Sequence, residues 1–365
     1  MTTILILSVG SLVGTNILDA VEEFRPSLRV IGLNSEIEAP NNFRCDKVYL
    51  GPPACDVHAY WKRVDEILRR DCPDLVLAGR DDDIGLMAQW RELNPHWADR
   101  FVVGSATLSL PMTDKLSGHD WAIERGLPFA PTVSARAPRA LEQCLAWMSE
   151  LDCALIAKPR AGNGSRGVRL LLDGAALQAN LGDADLVIQP YLSVAEPYQA
   201  LAKKSALGLP LFWTPTLTQY VAQTVISPNG DILGRFDMEA QMVAGRCERA
   251  VAFTDPEFRK IGDHCAAKLA EAGWRGPVAA QMVRHEKLGY QIIEFCARAG
   301  GALMERLLLG FDEMALILSA WTQQSFARPR PQPINAFVLR VTHDVGLKVS
   351  DCAQLSKTGE WPSGC

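Results

Sequence analysis

Ala154-Leu155-Ile156-Ala157-Lys158-Pro159-Arg160-Ala161-Gly162-Asn163-Gly164-Ser165-Arg166-Gly167-Val168 is the stretch from which the fold is read. Its apolar start, Ala154 to Ala157, predicts a strand, and the strand ends on a lysine that abuts a glycine-rich loop. Val168 to Leu172 reads as the returning strand. Glycines in such a hairpin let backbone amides point at one anion and let the loop move, so the amides can wrap phosphate oxygens. An ordinary hairpin turn needs only two or three of these small residues.

Towards the N-terminus, Ile4-Leu5-Ile6-Leu7 is a continuous apolar run of the kind shown by a parallel strand covered on both faces. It leads into Ser8-Val9-Gly10-Ser11-Leu12-Val13-Gly14 and a helical pattern at Ile17, Leu18 and Val21. Further apolar runs, Val30 to Leu33 and Leu75 to Ala78, flank an amphipathic helix over roughly Ala59 to Arg69. This alternation predicts an open parallel α/β sheet over roughly residues 1 to 110. Ligands of such sheets lie at the carboxyl ends of the strands, here Gly10 to Asn16, Asn34 to Glu36 and Arg80 to Asp83. Gly10 and Gly14 lack the full Gly-x-Gly-x-x-Gly spacing of a dinucleotide turn, and a strand-to-helix turn needs small residues for geometry alone.

On either side of the glycine loop, a helix is predicted from Asp114 to Glu124, stopped by Gly126-Leu127-Pro128, and a short strand at Leu186-Val187-Ile188 runs into Gln189-Pro190-Tyr191-Leu192. A long mixed β region follows to about Ala252, then a helix from Asp255 to Ala272 and strands at Val278 to Arg284 and Tyr290 to Phe295. Pro329, Pro331 and Pro333 read as a linker into a last β element, Asn335 to Thr342.

The 365 residues are 48% hydrophobic and 22% charged, which excludes disorder and fibrous architectures and allows two or three domains. With 37 Lys+Arg against 42 Asp+Glu there is no broad basic surface for nucleic acid. No apolar run approaches the about 20 residues of a bilayer span. Met1-Thr2-Thr3 carries no basic segment of a secretory leader, so a cytoplasmic location is expected, with the ten irregularly spaced cysteines as reduced thiols in the core.

Three ordered blocks carry a family resemblance: Met112-Thr113-Asp114-Lys115 with Gly126-Leu127-Pro128; Lys158-Pro159-x-x-Gly162-x-Gly164-Ser165-x-Gly167-Val168; and Gln281 followed by Ile293-Glu294-Phe295-Cys296-Ala297-Arg298. Taken in order, they resemble the ATP-grasp superfamily of ATP-dependent carboxylate ligases, and within it the carbamoyl phosphate synthase-like branch, over nearly the whole chain to about residue 320. The resemblance implies an α/β and α+β architecture. An open parallel α/β domain at 1–110 would precede an ATP-grasp small lobe with the glycine loop at 111–190, a large lobe with a metal site at 191–325 and a C-terminal β extension at 326–365.

It also implies a chemistry. The γ-phosphoryl group of ATP passes to a carboxylate and an amine then attacks the acylphosphate, so the protein positions the reactants and neutralises phosphate charge. Lys115 and Lys158 match the positions whose cations reach the phosphates, although Asp114-Lys115 also reads as a plain helix start. Gly162, Gly164, Ser165 and Gly167 belong to the loop over the phosphates, with Ser165 and Arg166 as candidate contacts. Gln189 and Leu192 match the hinge whose backbone reads adenine, and Gln219 or Glu196 falls where a ribose-binding group is expected.

Two Mg²⁺ ions, or Mn²⁺ in their place, would be held at Gln281, Glu294 and Cys296. The family has an asparagine where Cys296 stands, and a thiol is a poor ligand for a hard ion. That departure keeps open a pseudoenzyme that binds nucleotide without turnover. Arg298 matches the arginine that stabilises the transferring phosphoryl group, and a guanidinium suits phosphate.

Small-molecule carboxylate and amine substrates, the former an amino acid or short peptide, would be the partners, and a homodimer is left open. Asp81 to Asp83, Glu239, Arg246 and Arg249 are candidates for the acceptor site. The aspartates read equally as a helix N-cap with solvated charge, and the arginines as an exposed strand face. An NAD-dependent oxidoreductase built on the Gly10 turn would leave the glycine loop and the Gln281/Glu294 block without a role.

Overall fold

The computed structural model describes residues 1–162, 164–192, 203, 216–328, 336–341 and 344–362. Strands β1 (Thr2–Ile6), β2 (Leu28–Asn34), β3 (Lys47–Leu50) and β4 (Leu75–Leu77) form a parallel sheet in the order β3-β2-β1-β4. Its connections run through α1 (Leu12–Val21) and α2 (Val57–Asp71), and α3 (Asp81–Leu93) follows β4. Ile4 to Leu7 are fully buried because both faces are covered. Leu5 and Leu7 pack with Val64, Ile67 and Met87 of α2 and α3, whereas Ile4 and Ile6 pack with Ile17 and Leu18 of α1.

The turn between β1 and α1 owes its glycines to packing. A Cβ at Gly14 would lie 2.0 Å from the Val9 carbonyl oxygen, and one at Gly10 would strike the Asn34 side chain. Asn34 in turn donates to Asn42 Oδ1 and the Glu36 carbonyl, so the end of β2 is closed by its own amide network.

After α4 (Ala106–Thr113) and α5 (Lys115–Ile123), a second sheet, antiparallel, joins β5 (Val133–Ser134), β6 (Leu155–Pro159), β7 (Arg169–Leu171) and β8 (Leu186–Pro190) in the order β5-β8-β6-β7. With α6 (Ala140–Leu151) and α7 (Gly174–Gln178) it encloses its own small core around Cys144, Leu155, Leu177 and Ile188.

The third sheet comprises β9 (Leu217–Ile226), β10 (Ile232–Val243), β11 (Arg246–Ala252), β12 (Gly276–His285), β13 (Gly289–Cys296) and β14 (Phe337–Leu339), ordered β13-β12-β9-β10-β11-β14. Helix α8 (Pro256–Glu271) covers one face through Phe258, Cys265 and Leu269. Helices α9 (Leu303–Leu308) and α10 (Glu313–Thr322) join this sheet to α1 and the first sheet in one continuous apolar core. The first and third sheets thus share their cores, while the glycine-loop lobe keeps a separate one.

The chain returns to its start. Helix α11 (Val349–Thr358) leads to β15 (Glu360–Pro362), which pairs antiparallel with β3. The C-terminal segment, expected as a β extension, therefore carries a helix as well. No helix among the described residues is long and apolar enough to cross a membrane.

Candidate active site

A cavity of about 930 Å³ opens where the three sheets meet, and a pocket of about 100 Å³ adjoins it. Both touch Lys115, Gly162, Gly164, Ser165 and Glu294, residues drawn from α5, the loop between β6 and β7, and β13.

The loop follows β6 because its residues accept the left-handed region: φ is +120° at Gly162, +62° at Gly164, +57° at Ser165 and +73° at Gly167. Gly162 and Gly164 have open space around a would-be Cβ, so backbone conformation, not crowding, requires glycine there. The loop lies against the β10–β11 turn, where a Cβ on Gly245 would sit 3.0 Å from both the Gly164 carbonyl and Ser165 Oγ. Gly167 is outside the lining of either space.

Lys115 is placed by the start of α5. Asp114 caps that helix, accepting from the Ser117 amide at 2.7 Å, and takes two hydrogen bonds from Arg160 at 2.8 and 3.1 Å. Burial pushes the Asp114 carboxyl up, but the hydrogen bonds from Arg160 and Ser117 outweigh it and hold it below the ordinary carboxylate range. The Lys115 amide donates to the Arg160 carbonyl at 2.9 Å, which fastens α5 to the end of β6. Lys115 Nζ lies 3.5 Å from Glu294 Oε2 and donates to the Gly162 carbonyl at 3.4 Å.

Lys158, on β6, is buried and lines the smaller pocket. Burial is the main cause that lowers its pKa to about 8; Glu294 opposes the shift and Lys115 adds to it. Ile156, Leu192, Val283 and Ile293 supply apolar walls to the same pocket, a lining suited to a flat heterocycle. Gln219 borders both spaces, whereas Glu196 lies outside the described residues.

Gln189 borders neither space. Its buried side chain donates to Thr132 Oγ1 at 2.9 Å and to the Ile293 carbonyl at 3.4 Å, bracing the sheet behind the pocket. The neighbouring Tyr191, not singled out from sequence, takes its place in the lining.

Gln281 and Glu294 are direct partners in the β12–β13 ladder, and Ala279 pairs with Cys296. All four line the large cavity. Cys296 belongs to an apolar cluster with Val221, Met238, Ala240 and Cys247, and burial pushes its thiol up to about 11. Glu294 and Gln281 offer oxygens to a divalent ion, and Cys296 offers a neutral thiol in apolar surroundings. The donor set fits one hard ion and does not fit the third ligand of a second.

Arg298, just beyond β13, donates to Asp81 Oδ2 at 2.8 Å, and its buried Nε has no partner among the described residues. Asp82 also lines the cavity and is exposed. Asp83 departs from the ammonium-binding reading: fully buried, it accepts from Ser8, Tyr60, Gly79 and Arg80, closing the turn before α3. Burial holds its carboxyl above the ordinary range despite those bonds. Arg246 lines the cavity; Glu239 and Arg249 do not, and Arg249 covers the Phe337 ring at 4.8 Å. Of the strand ends expected to face a ligand, Gly10 to Val13 and Gly79 to Asp82 do so, and Asn34 to Glu36 do not.

Sequence reasoning missed the buried trio behind this wall. Arg306 donates twice to Glu313 Oε2, at 3.0 and 2.5 Å, and Gln223 Nε2 donates to Glu313 Oε1 at 3.0 Å. Gln223 and Arg306 both border the cavity. The alternation Leu217, Gln219, Val221, Gln223 along β9 was the available signal, since all four face it.

No family model matches the sequence, and no curated protein does. Among solved structures, the biotin carboxylase domain of Hydrogenobacter thermophilus 2-oxoglutarate carboxylase, a dimer in complex with MgADP, ADP and bicarbonate, is similar at 14% identity and a TM-score of 0.65, over 92% of this chain and 73% of that one. N5-carboxyaminoimidazole synthetase from Staphylococcus aureus, complexed with ADP, is similar at 13% identity and a TM-score of 0.66, over 93% and 80%. The corresponding ribonucleotide synthetase from Thermotoga maritima reaches 0.60 at 12% identity, over 90% and 77%. At these identities the likeness establishes architecture alone: the chain has the ATP-grasp fold, with a parallel α/β sheet ahead of two lobes built on antiparallel sheets.

Proposed function

We propose that the protein is an ATP- and Mg²⁺-dependent ligase that activates a small carboxylate as an acylphosphate and joins it to an amine, releasing ADP and phosphate. The observation that carries this reading is the convergence of Lys115, Lys158, Glu294 and the glycine loop on adjoining spaces. Similar architectures crystallised with ADP support it. Gln281 supports the carbamoyl phosphate synthase-like branch, and we expect a cytoplasmic enzyme.

In this reading adenine lies between Ile156, Leu192, Val283 and Ile293, the ribose near Gln219, and the phosphates under Gly162 to Ser165 against Lys115 and Lys158. A carboxylate oxygen of the substrate attacks the γ-phosphorus; the bond to the β–γ bridging oxygen breaks and ADP leaves. The amine nitrogen then attacks the acyl carbon, phosphate departs with the bonding pair, and the nitrogen loses a proton. Arg298 stabilises the charge that spreads over the transferring group. Gln281 and Glu294 would hold one divalent ion together with phosphate oxygens, and that ion would add charge neutralisation. Lys115 now neutralises Glu294 and would turn to phosphate when nucleotide binds.

The test is ADP release from ATP and Mg²⁺ with pairs of small carboxylates and amines. Release that requires both supports the ligase; nucleotide binding with no turnover on any pair supports the inactive binder that Cys296 suggests. Binding of NAD with none of ATP would overturn both.

A further inference from the structure

The sheet face that floors the large cavity changes character across its width. Glu294 and Gln281 occupy the β13–β12 side, while Met238, Ala240 and Met242 of β10 and Cys247 of β11 occupy the other. Register makes the second group a continuous patch: Val221 stands beside Met238, Leu217 beside Met242, and Met242 beside Cys247. Met238, Ala240 and Cys247 are buried members of one apolar cluster. Leu12, the first residue of α1, borders the cavity from the other side and is 40% exposed. Charge around this region comes from Arg298 with Asp81, from Asp82, from Arg246 and from Arg306, the last already matched by Glu313.

We propose, resting on the ligase reading above, that the carboxylate this cavity accepts carries an uncharged apolar side chain of about leucine to phenylalanine size, and is neither bicarbonate nor an acidic or basic amino acid. A charged side chain on the β10–β11 patch would lose its water against Met238, Ala240, Met242 and Cys247, with only the neutral amide of Gln219 beside Ala240 to replace it, since Gln223 and Arg306 are already bonded to Glu313. An apolar side chain gains by leaving water. Unbranched methionine adapts to different shapes, so the patch selects for apolarity more strongly than for outline. At about 930 Å³ the cavity has room for a triphosphate tail and an amino-acid-sized partner together. Arg298, which lines the cavity at its polar edge, supplies the cation that faces the substrate carboxylate.

The test is calorimetric titration of glycine, leucine, phenylalanine, aspartate, lysine and bicarbonate into protein saturated with magnesium and a non-hydrolysable ATP analogue. The expected result is leucine and phenylalanine binding at least about tenfold tighter than glycine, with no heat from aspartate, lysine or bicarbonate. Met242→Glu, at a half-buried position, should reduce leucine affinity about tenfold and leave analogue affinity unchanged. Equal affinities across the series, bicarbonate binding alone, or no binding by any of them would overturn the proposal while the nucleotide reading stands. If the analogue itself fails to bind, the ligase reading has failed first.

Discussion

The Arg298 guanidinium donates to the Asp81 carboxylate at 2.8 Å across 217 residues of chain, tying the end of β13 to the first turn of α3. The two side chains are only 11% and 14% exposed, and Arg298 Nε is already without a partner among the described residues. Removing the carboxylate leaves a nearly desolvated cation. Asp81→Ala should therefore lower the unfolding free energy by about 2–4 kcal/mol in urea titrations, with Asp81→Asn milder. Wild-type stability in Asp81→Ala would mean that the pair contributes nothing to joining the two sheets.

Glu294 and Lys158 should separate folding from chemistry. Glu294 is about one-third exposed and its ion pair to Lys115 is long, so Glu294→Gln should leave the melting temperature nearly unchanged. ADP formation should fall by about 10²-fold or more in Glu294→Gln and in Lys158→Ala, because in the proposed ligase the first removes a carboxylate that would hold the divalent ion and the second a cation that would meet the phosphates. Wild-type turnover in Glu294→Gln would refute the metal assignment.

Lys158 should make nucleotide binding pH-dependent. Burial depresses its pKa to about 8, from 10.5 in an unfolded chain, so the cost of keeping it charged in the fold is present in full below about pH 8 and disappears as pH rises towards 10.5. Phosphate favours the charged form, so ADP binding at pH 9 should draw up to about one proton from solvent, and at pH 6.5 none from this group. Calorimetry in buffers of different ionisation enthalpy measures the uptake. Lys158→Met should abolish it and should unfold at higher temperature than wild type near pH 7, an advantage that shrinks in alkali; unchanged uptake would locate the titrating group elsewhere.

Cys296 predicts an ion count. With Glu294 and Gln281 as oxygen donors and a thiol as the third group, Mn²⁺ bound per ADP, followed by paramagnetic resonance, should be one in the wild type and two in Cys296→Asn. The variant should keep or raise ADP release. Without metal it should lose about 1–2 kcal/mol of stability, because an amide replaces a thiol inside an apolar cluster. Two ions in the wild type would show that another group completes the ligand set of the second ion, and loss of all activity in Cys296→Asn would point to a role for the thiol itself.

What sequence alone determined is whatever depends on neighbours along the chain. Ile4 to Leu7, the end of β1 and the residue after it, are covered on both faces because four consecutive apolar side chains must point alternately into two cores. The left-handed backbone at Gly162, Gly164 and Gly167 is written in those glycines, and the ordered Lys115, Lys158 and Glu294 blocks were enough to expect one cleft. Only the tertiary structure decided which faces of the long β strands meet that cleft. Period-two alternation separates two faces without naming the inner one, so Gln189 turned to Thr132 while Gln219 and Gln223 turned to the cavity. Pairings such as Arg298–Asp81, Arg306–Glu313 and Asp114–Arg160 were equally out of reach, because an arginine's partner is set by distance in space and its sequence separation carries no such information.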